Sequence, residues 1–159
     1  MNIIVVSMSN LAVSRNNNDI LTTYSLGSCL GIAIYDPIIQ VAGLIHCMLP
    51  DSAIHPQKVE KNPCMFVDTG LPALLQEMQN CGCRENNLIV KAAGAACMMP
   101  DEHAFRIGER NYNACLKMLH KHNLTLASAS TGGNHSRTIS INISTGKVIV
   151  KQNMTEAEI

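Results

Sequence analysis

Apolar runs separated by short polar segments predict a chain that alternates between strands and helices. Residues 3–6 form a short apolar run, and residues 21–24 are expected to be extended. Two longer runs, residues 30–35 and 41–49, are apolar at nearly every position and are separated by Asp36-Pro37. Runs without alternation are typical of strands buried on both faces, and the short break between them predicts a hairpin.

Two segments in the second half of the chain have the spacing of amphipathic helices. Asp68 and Thr69 are positioned to cap the first helix, which Gly82 ends. Its apolar positions recur at i, i+3, i+4 and i+7, namely Leu71, Leu74, Leu75 and Met78. The second helix is expected over residues 108–122, with an inner stripe made of Tyr112, Cys115, Leu116 and Leu119.

The remaining apolar segments complete the expected fold. Strands are predicted at residues 88–93, 124–129, 139–143 and 148–150. Roughly seven strands and two main helices indicate an α+β, mixed α/β domain, a layered sandwich of largely antiparallel sheet. No repeat or linker divides the chain, so residues 1–151 are expected to form one domain, followed by a loose tail over residues 152–159.

Composition and charge exclude several classes of function. Lys and Arg number 12 and Asp and Glu number 12, so the 159-residue chain is neutral and lacks the basic surplus of a nucleic-acid-binding protein. Aromatic residues make up only 3%, which argues against a stacking platform for bases. No apolar stretch approaches the roughly 20 residues of a membrane helix, and the N-terminus does not resemble a signal peptide. We therefore expect a cytoplasmic protein without membrane insertion.

Seven cysteines raise the question of a metal or a cofactor. Cys81-Gly82-Cys83 lacks the CxxC spacing, and no second close pair completes a tetrahedral zinc set. The glycine-rich segment Gly132-Gly133 lacks the lysine of a phosphate-binding loop. We expect neither a metal nor a cofactor, and most of the cysteines are expected to fill the core as small apolar residues.

One cysteine and one histidine are placed so that the hairpin could bring them together. If residues 36–39 form the loop, the numbers of paired residues sum to 75 and Cys29 lies opposite His46. Directly opposed Cβ atoms are about 4.5–5.5 Å apart. Thr23 shares the parity of Cys29 along an extended chain, whereas Thr22 does not.

A thiol beside an imidazole is suited to acyl transfer from an amide, ester or thioester. The imidazole either removes the thiol proton or stabilises the thiolate as an ion pair. The hydroxyl of Thr23 would hold the imidazole in one tautomer, and the turn at Gly27-Ser28 would present backbone N–H groups to an oxyanion. The alternative interpretation is structural, because a cysteine or histidine in an apolar run is also common as a core residue.

The same segments resemble the CheD family of chemoreceptor glutamine deamidases. The most specific blocks are residues 26–37, LGSCLGIAIYDP, and residues 42–50, AGLIHCMLP. The likeness continues through residues 66–68, Lys91 with Gly94-Ala95, and residues 107–111, IGERN. It ends with Gly132-Gly133, Arg137 and residues 145–148, TGKV, and therefore covers nearly the whole chain. Residues 92–96, AAGAA, depart from the family pattern, where relatives usually carry an aromatic residue and paired glycines.

The resemblance implies a function and a set of site residues. The nucleophile of the family falls on Cys29, its histidine on His46 and its threonine on Thr23. The implied reaction converts specific glutamines of chemotaxis receptors, the methyl-accepting chemotaxis proteins, to glutamate through a thioester, with release of ammonia. The resemblance also implies CheC-type phosphatases as regulatory partners.

Two other functions stay open on the sequence. The chain could be a catalytically weak binding module that docks receptors or a CheC-type phosphatase. It could also be a broader cysteine amidase that acts on small amides. Retention of Thr23, Cys29 and His46 favours the deamidase, because a binding module would be expected to have lost at least one of them.

Overall fold

A computed structural model of the chain describes residues 1–100 and 105–159. Two α-helices are formed, α1 (Val67–Asn80) and α2 (Ile107–Lys121). Ten strands are β1 (Asn2–Val5), β2 (Asn10–Ser14), β3 (Asp19–Leu26), β4 (Leu30–Asp36), β5 (Val41–Cys47), β6 (Ile89–Gly94), β7 (Leu126–Thr131), β8 (Arg137–Asn142), β9 (Val148–Gln152) and β10 (Thr155–Glu158). Within these described ranges, no helix is long and apolar enough to span a membrane.

The strands form two five-stranded sheets. The first sheet has the order β1-β3-β8-β9-β10, and the second has the order β2-β5-β4-β6-β7. Only the pairs β1–β3 and β6–β7 are parallel, and all other neighbours are antiparallel. This arrangement confirms the predicted α+β sandwich of largely antiparallel sheet with two main helices.

The second sheet is the middle layer of the molecule. One face packs against α1 and α2, and its other face packs against the first sheet. Along β4, Ile32 and Ile34 lie in the cluster that includes the helices, whereas Ala33 and Tyr35 lie in the cluster between the sheets. A strand covered on both faces needs apolar residues at successive positions, which explains the unbroken apolar runs of the sequence.

The first helix has the predicted apolar stripe but not the predicted cap. Its four apolar positions are all buried. The helix begins after Phe66, which makes no side-chain cap, and Asp68 instead accepts hydrogen bonds from the backbone N–H and hydroxyl of Ser52. The carboxylate of Asp68 therefore holds the preceding loop against the helix.

The inner stripe of α2 differs from the prediction. Cys115 and Leu119 are buried as expected, but Leu116 is 38% exposed. Asn111 and Met118 are buried in its place. The helix is thus rotated relative to the stripe inferred from hydrophobicity, because a polar side chain, Asn111, occupies an inward position and finds hydrogen-bond partners there.

Two strands, β2 and β10, were not predicted from the sequence. The edge strand β2 is short and pairs only with β5, so its sequence carries a weak strand pattern. The expectation of a loose tail over residues 152–159 is wrong, since β10 pairs with β9 across a tight turn. Asn153 in this turn has φ of 54°, a conformation that asparagine tolerates, and Ile159 packs against the cluster between the sheets.

Gly94 provides a test of how closely the strands approach the connection between β3 and β4. Its φ is +112°, and a Cβ there would collide with the carbonyl oxygen of Cys29. We expect Gly94→Ala to lower the free energy of unfolding by more than the roughly 1–2 kcal/mol that left-handed backbone alone costs a non-glycine residue. The measurement is urea denaturation.

Gly132→Ala is the matched control, because Gly132 has φ of +81° and open space around its missing Cβ. The control is expected to lose only the backbone contribution. Equal losses in the two variants would show that the approach of Gly94 to Cys29 is looser than the structure indicates.

Candidate active site

Cys29 lies in the segment that carries the chain from one sheet to the other. Strand β3 of the first sheet ends at Leu26, and β4 of the second sheet begins at Leu30. The three residues between them bend sharply, and Cys29 is partly exposed beside the cluster between the sheets. Cys29 is therefore only partly buried, and its backbone carbonyl is held by the N–H of Ala95 in the loop after β6.

The predicted hairpin is present, but its register differs from the predicted one by two residues. The loop is residues 37–40, so Asp36 pairs with Val41 and paired numbers sum to 77. His46 therefore lies opposite Gly31 and not opposite Cys29. Because the difference is two residues, the alternation of the strands still places Cys29 and His46 on the same face, with Cys29 diagonal to His46.

Thr23 and His46 meet across the two sheets. The hydroxyl of Thr23 lies 2.7 Å from Nδ1 of His46, and both residues are buried. The same hydroxyl donates its proton to the backbone carbonyl of Val6 at 2.6 Å. Since a carbonyl only accepts and a hydroxyl has one proton, the bond to His46 must run from Nδ1–H to the threonine oxygen. The neutral imidazole then carries its lone pair on Nε2.

The lone pair of His46 is free. Nε2 is buried and has no hydrogen-bond partner in residues 1–100 and 105–159, so no hydrogen bond joins it to the Cys29 thiol. Burial lowers the pKa of His46 and raises the pKa of Cys29, which keeps the imidazole and the thiol neutral at neutral pH. A neutral base beside a protonated thiol is suited to general-base catalysis and does not require a preformed ion pair.

The structure separates the two neighbouring threonines for a reason that differs from the parity argument. Thr22 bonds within the first sheet, to the carbonyl of Ile139 and the hydroxyl of Ser140. Thr23 projects toward the second sheet. The parity argument assumed an extended chain up to Cys29, whereas β3 has an irregularity after Thr23 and Ser25 has φ of 59°.

The turn before Cys29 leaves two backbone N–H groups that no other described residue binds, and the N–H of Cys29 faces its own sulfur. The N–H of Gly27 donates to the carbonyl of Ser25, which removes Gly27 from the expected oxyanion donors. In the described parts of the chain, no other residue accepts from the N–H of Ser28 or Cys29. Ser28 thus keeps its expected place among the candidate donors, and Cys29 joins it.

The carbonyls of the same turn are all held from outside. Ala96 N–H donates to the carbonyl of Gly27, and Ala95 N–H donates to that of Cys29, both at 2.8 Å. The departure from the family pattern at residues 92–96 therefore contacts the turn through backbone groups, which a change of side chain leaves in place. Arg137 supports this loop, because its guanidinium donates to the carbonyls of Gly94 and Gly132.

Three contributors to the site were not found by reasoning on the sequence. The Val6 carbonyl is a backbone group and carries no sequence signal. Arg137 and Asn111 appeared only within the resemblance, although a polar residue at a buried position of α2 could have drawn attention to Asn111. Its amide donates to the carbonyls of Ser28 and Met48, on either side of the site.

The other cysteines have different surroundings. Cys47 follows His46 but faces the helices, and burial raises its pKa well above the usual range. Burial also raises the pKa of Cys115 to about 12 and that of Cys83 to about 11. Outside residues 101–104, no group of three His, Cys, Asp or Glu side chains is arranged to hold a metal ion.

Comparison with known proteins gives a consistent set of relatives. The family model described as "CheD chemotactic sensory transduction" matches residues 48–152. "Probable chemoreceptor glutamine deamidase CheD 1" of Syntrophus aciditrophicus (strain SB) is 45% identical, over 93% of this chain and 92% of that protein. Similarly named proteins of Solibacter usitatus (strain Ellin6076) and Syntrophotalea carbinolica (strain DSM 2380 / NBRC 103641 / GraBd1) are 40% and 36% identical, over 98% and 94% of this chain and 92% and 94% of theirs.

The tautomer and the charge of His46 can be measured directly. In ¹⁵N spectra of the imidazole, we expect the neutral ring to carry its proton on Nδ1, because the Thr23 hydroxyl already donates to Val6. Burial should move the protonation midpoint below the ordinary value of about 6.5. Thr23→Val should release the tautomer preference. A neutral ring protonated at Nε2 in the unchanged chain would contradict this assignment.

Proposed function

Because the chain belongs to the CheD family, we propose that it is a cytoplasmic deamidase that hydrolyses the side-chain carboxamide of specific glutamines in chemotaxis receptors. Ammonia is released and glutamate remains on the receptor. One observation carries the proposal at the level of residues. Thr23 holds Nδ1 of His46, which leaves a free lone pair on Nε2, on the face that Cys29 shares.

The first half of the reaction forms a thioester. The Cys29 side chain turns toward His46, and Nε2 takes the proton of the thiol as the sulfur attacks the carboxamide carbon. The oxyanion that forms accepts hydrogen bonds from the free N–H groups of the turn. The carbon–nitrogen bond then breaks, and the imidazolium gives its proton to the departing nitrogen, which leaves as ammonia.

The second half releases the product. A water molecule gives a proton to Nε2 of His46 and attacks the thioester carbon. The carbon–sulfur bond breaks, the imidazolium returns its proton to the sulfur of Cys29, and the free acid ionises in water. The sum is one amide and one water converted to one carboxylate and one ammonium ion. Each turnover thus replaces a neutral side chain on the receptor with a negative charge.

The open distance between the thiol and the imidazole fits the proposed cycle. Hydrogen bonds of catalytic groups are often long before substrate binds and shorten in the complex. A neutral thiol also needs no counter-ion before substrate binds. Regulation by a CheC-type phosphatase is part of this proposal, and it rests on the family resemblance alone.

The missing hydrogen bond between Cys29 and His46 is also the observation that favours the second candidate, a binding module with little turnover. Such a module would dock the receptor, or a CheC-type phosphatase, and leave its glutamines unchanged. Measuring receptor binding and ammonia release on the same sample separates the two functions.

The reaction is tested by mass spectrometry on a receptor fragment that contains the methylation helices. We expect the chain to convert particular glutamines to glutamate and to release one ammonia for each. Cys29→Ala should abolish the conversion because it removes the nucleophile. Cys81→Ala is the matched control, since Cys81 is a half-buried cysteine at the end of α1, away from the turn.

Three outcomes decide between the functions. Receptor binding without release of ammonia by the unchanged chain would favour the binding module. Full activity of Cys29→Ala would exclude Cys29 as the nucleophile. Faster hydrolysis of free glutamine than of the receptor would favour the broader amidase.

Thr23 is expected to contribute to rate through the orientation of His46. Loss of its hydroxyl in Thr23→Val should raise the barrier by roughly 1–3 kcal/mol, which is a rate decrease of about 5- to 150-fold. Thr23→Ser should keep most of the rate because it keeps the hydroxyl. The measurement is kcat for deamidation, together with the melting temperature.

Thr22→Val is the control for a lost hydroxyl at a neighbouring buried position. Its hydroxyl bonds within the first sheet and does not contact His46. If Thr22→Val slows the reaction as much as Thr23→Val does, the effect belongs to the sheet and not to the imidazole.

A further inference from the structure

From helix α2, Asn111 connects the turn before Cys29 to the segment that follows His46. It lies on the inner face of α2 and is 0% exposed. Its Nδ2 donates to the carbonyl of Ser28 at 2.8 Å and to that of Met48 at 3.0 Å. Both partners are acceptors, so the orientation of the amide is fixed by its hydrogen bonds.

The other end of this amide is unsatisfied. Oδ1 of Asn111 is buried and has no hydrogen-bond partner among the residues that the structure describes. Leaving a buried acceptor unpaired is costly, and most folded proteins avoid it. An apolar residue at this position would remove that cost but would also release both carbonyls. The chain therefore keeps the amide for its two donated bonds.

We propose that Asn111 is a positioning residue that aims the N–H of Cys29 at the oxyanion of the tetrahedral intermediate, an inference that rests on the proposed function. The carbonyl of Ser28 and the N–H of Cys29 belong to the same planar, trans peptide group. They therefore point in opposite directions. When Asn111 holds the carbonyl toward α2, the N–H is directed away from α2, toward the Cys29 sulfur, and no other described residue binds it.

The preceding peptide group is held in the same way. Ala96 N–H fixes the carbonyl of Gly27, so the N–H of Ser28 points away from Ala96, and no acceptor in the described part of the chain binds it. The N–H groups of Ser28 and Cys29 are thus oriented before substrate binds, because the carbonyl of each peptide group is held by a hydrogen bond. Orientation in advance is what makes such donors effective toward a developing negative charge.

The second bond of Asn111 connects the base to the nucleophile. Met48 lies two residues after His46, just beyond the end of β5. Because one NH₂ group holds both Ser28 and Met48, the turn that carries Cys29 keeps a fixed position relative to the strand that carries His46. Asn111 contacts neither the sulfur nor the imidazole, and it acts through these two carbonyls.

The variant Asn111→Leu tests this role, because leucine has a similar shape and no donor. We expect kcat for receptor deamidation to fall at least tenfold with little change in KM. Alkylation of Cys29 by iodoacetamide should keep its rate, since displacement of iodide forms no oxyanion. Asn113→Ala is the control on the same helix, where Asn113 is exposed, and it should change neither rate.

A second measurement needs no variant at position 111. The probe is a receptor peptide with an aldehyde in place of the glutamine carboxamide. The Cys29 sulfur adds to the aldehyde carbon, and the thiol proton goes to the aldehyde oxygen. In protein with ¹⁵N-labelled cysteine, the amide proton of Cys29 should move downfield when this adduct forms. The signal is assigned by its absence in Cys29→Ala.

The outcomes separate this inference from the proposed function. Unchanged kcat in Asn111→Leu, a parallel loss of alkylation, or an unmoved Cys29 amide in the adduct would each overturn the role of Asn111. If Asn111→Leu does not fold, an unmoved Cys29 amide in the adduct still overturns the role of Asn111. An unchanged chain that forms the adduct with a shifted amide but deamidates no receptor would support the Cys29 N–H as an oxyanion donor and contradict the receptor substrate.

Discussion

The hydroxyl of Thr23 is the contact on which the proposed chemistry of the site depends, because it joins two sheets and sets one tautomer at once. It receives the Nδ1–H of His46 from the second sheet and donates to the Val6 carbonyl beside the first. The bond to Val6 cannot reverse because a carbonyl only accepts, and reversal of the bond to His46 would take the proton of the Thr23 hydroxyl away from Val6. The packing of the two sheets thus decides which nitrogen of His46 can act as a base.

Backbone groups build the rest of the site around this contact. The carbonyls of Gly27, Ser28 and Cys29 are bound from the loop after β6 and from α2, so the turn is held from two sides. The donors in the loop are the backbone N–H groups of Ala95 and Ala96, and the donor on α2 is the side-chain amide of Asn111. Side chains in the loop can change while the turn keeps its shape, provided that Gly94 retains space for the Cys29 carbonyl.

The sequence predicted the structure best where the burial of one helix or strand depends only on the spacing of its own apolar residues. The stripe of α1 and the buried hairpin follow from apolar spacing, and the shared face of Cys29 and His46 survived a register error because the error was even. The sequence did not distinguish a hairpin loop over residues 36–39 from one over residues 37–40. Asp36-Pro37 at the first end and Ile39-Gln40 at the last end are acceptable in either loop. The reach of Thr23 depends on how two sheets pack, and no local pattern contains that information. Asn111 was missed because hydrophobic periodicity assigns polar residues to the outside.

The neutral state of Cys29 has a consequence for selectivity. Thiolates react with oxidants and alkylating agents according to their exposure and charge, and a thiol with a raised pKa is largely protected. A cysteine that becomes nucleophilic only when it turns toward His46 would be activated by the substrate that closes the gap. The turn of the Cys29 side chain toward His46 would lower the rate of such a site. The neutral thiol would therefore react slowly with other electrophiles until a carboxamide binds at the N–H groups of Ser28 and Cys29.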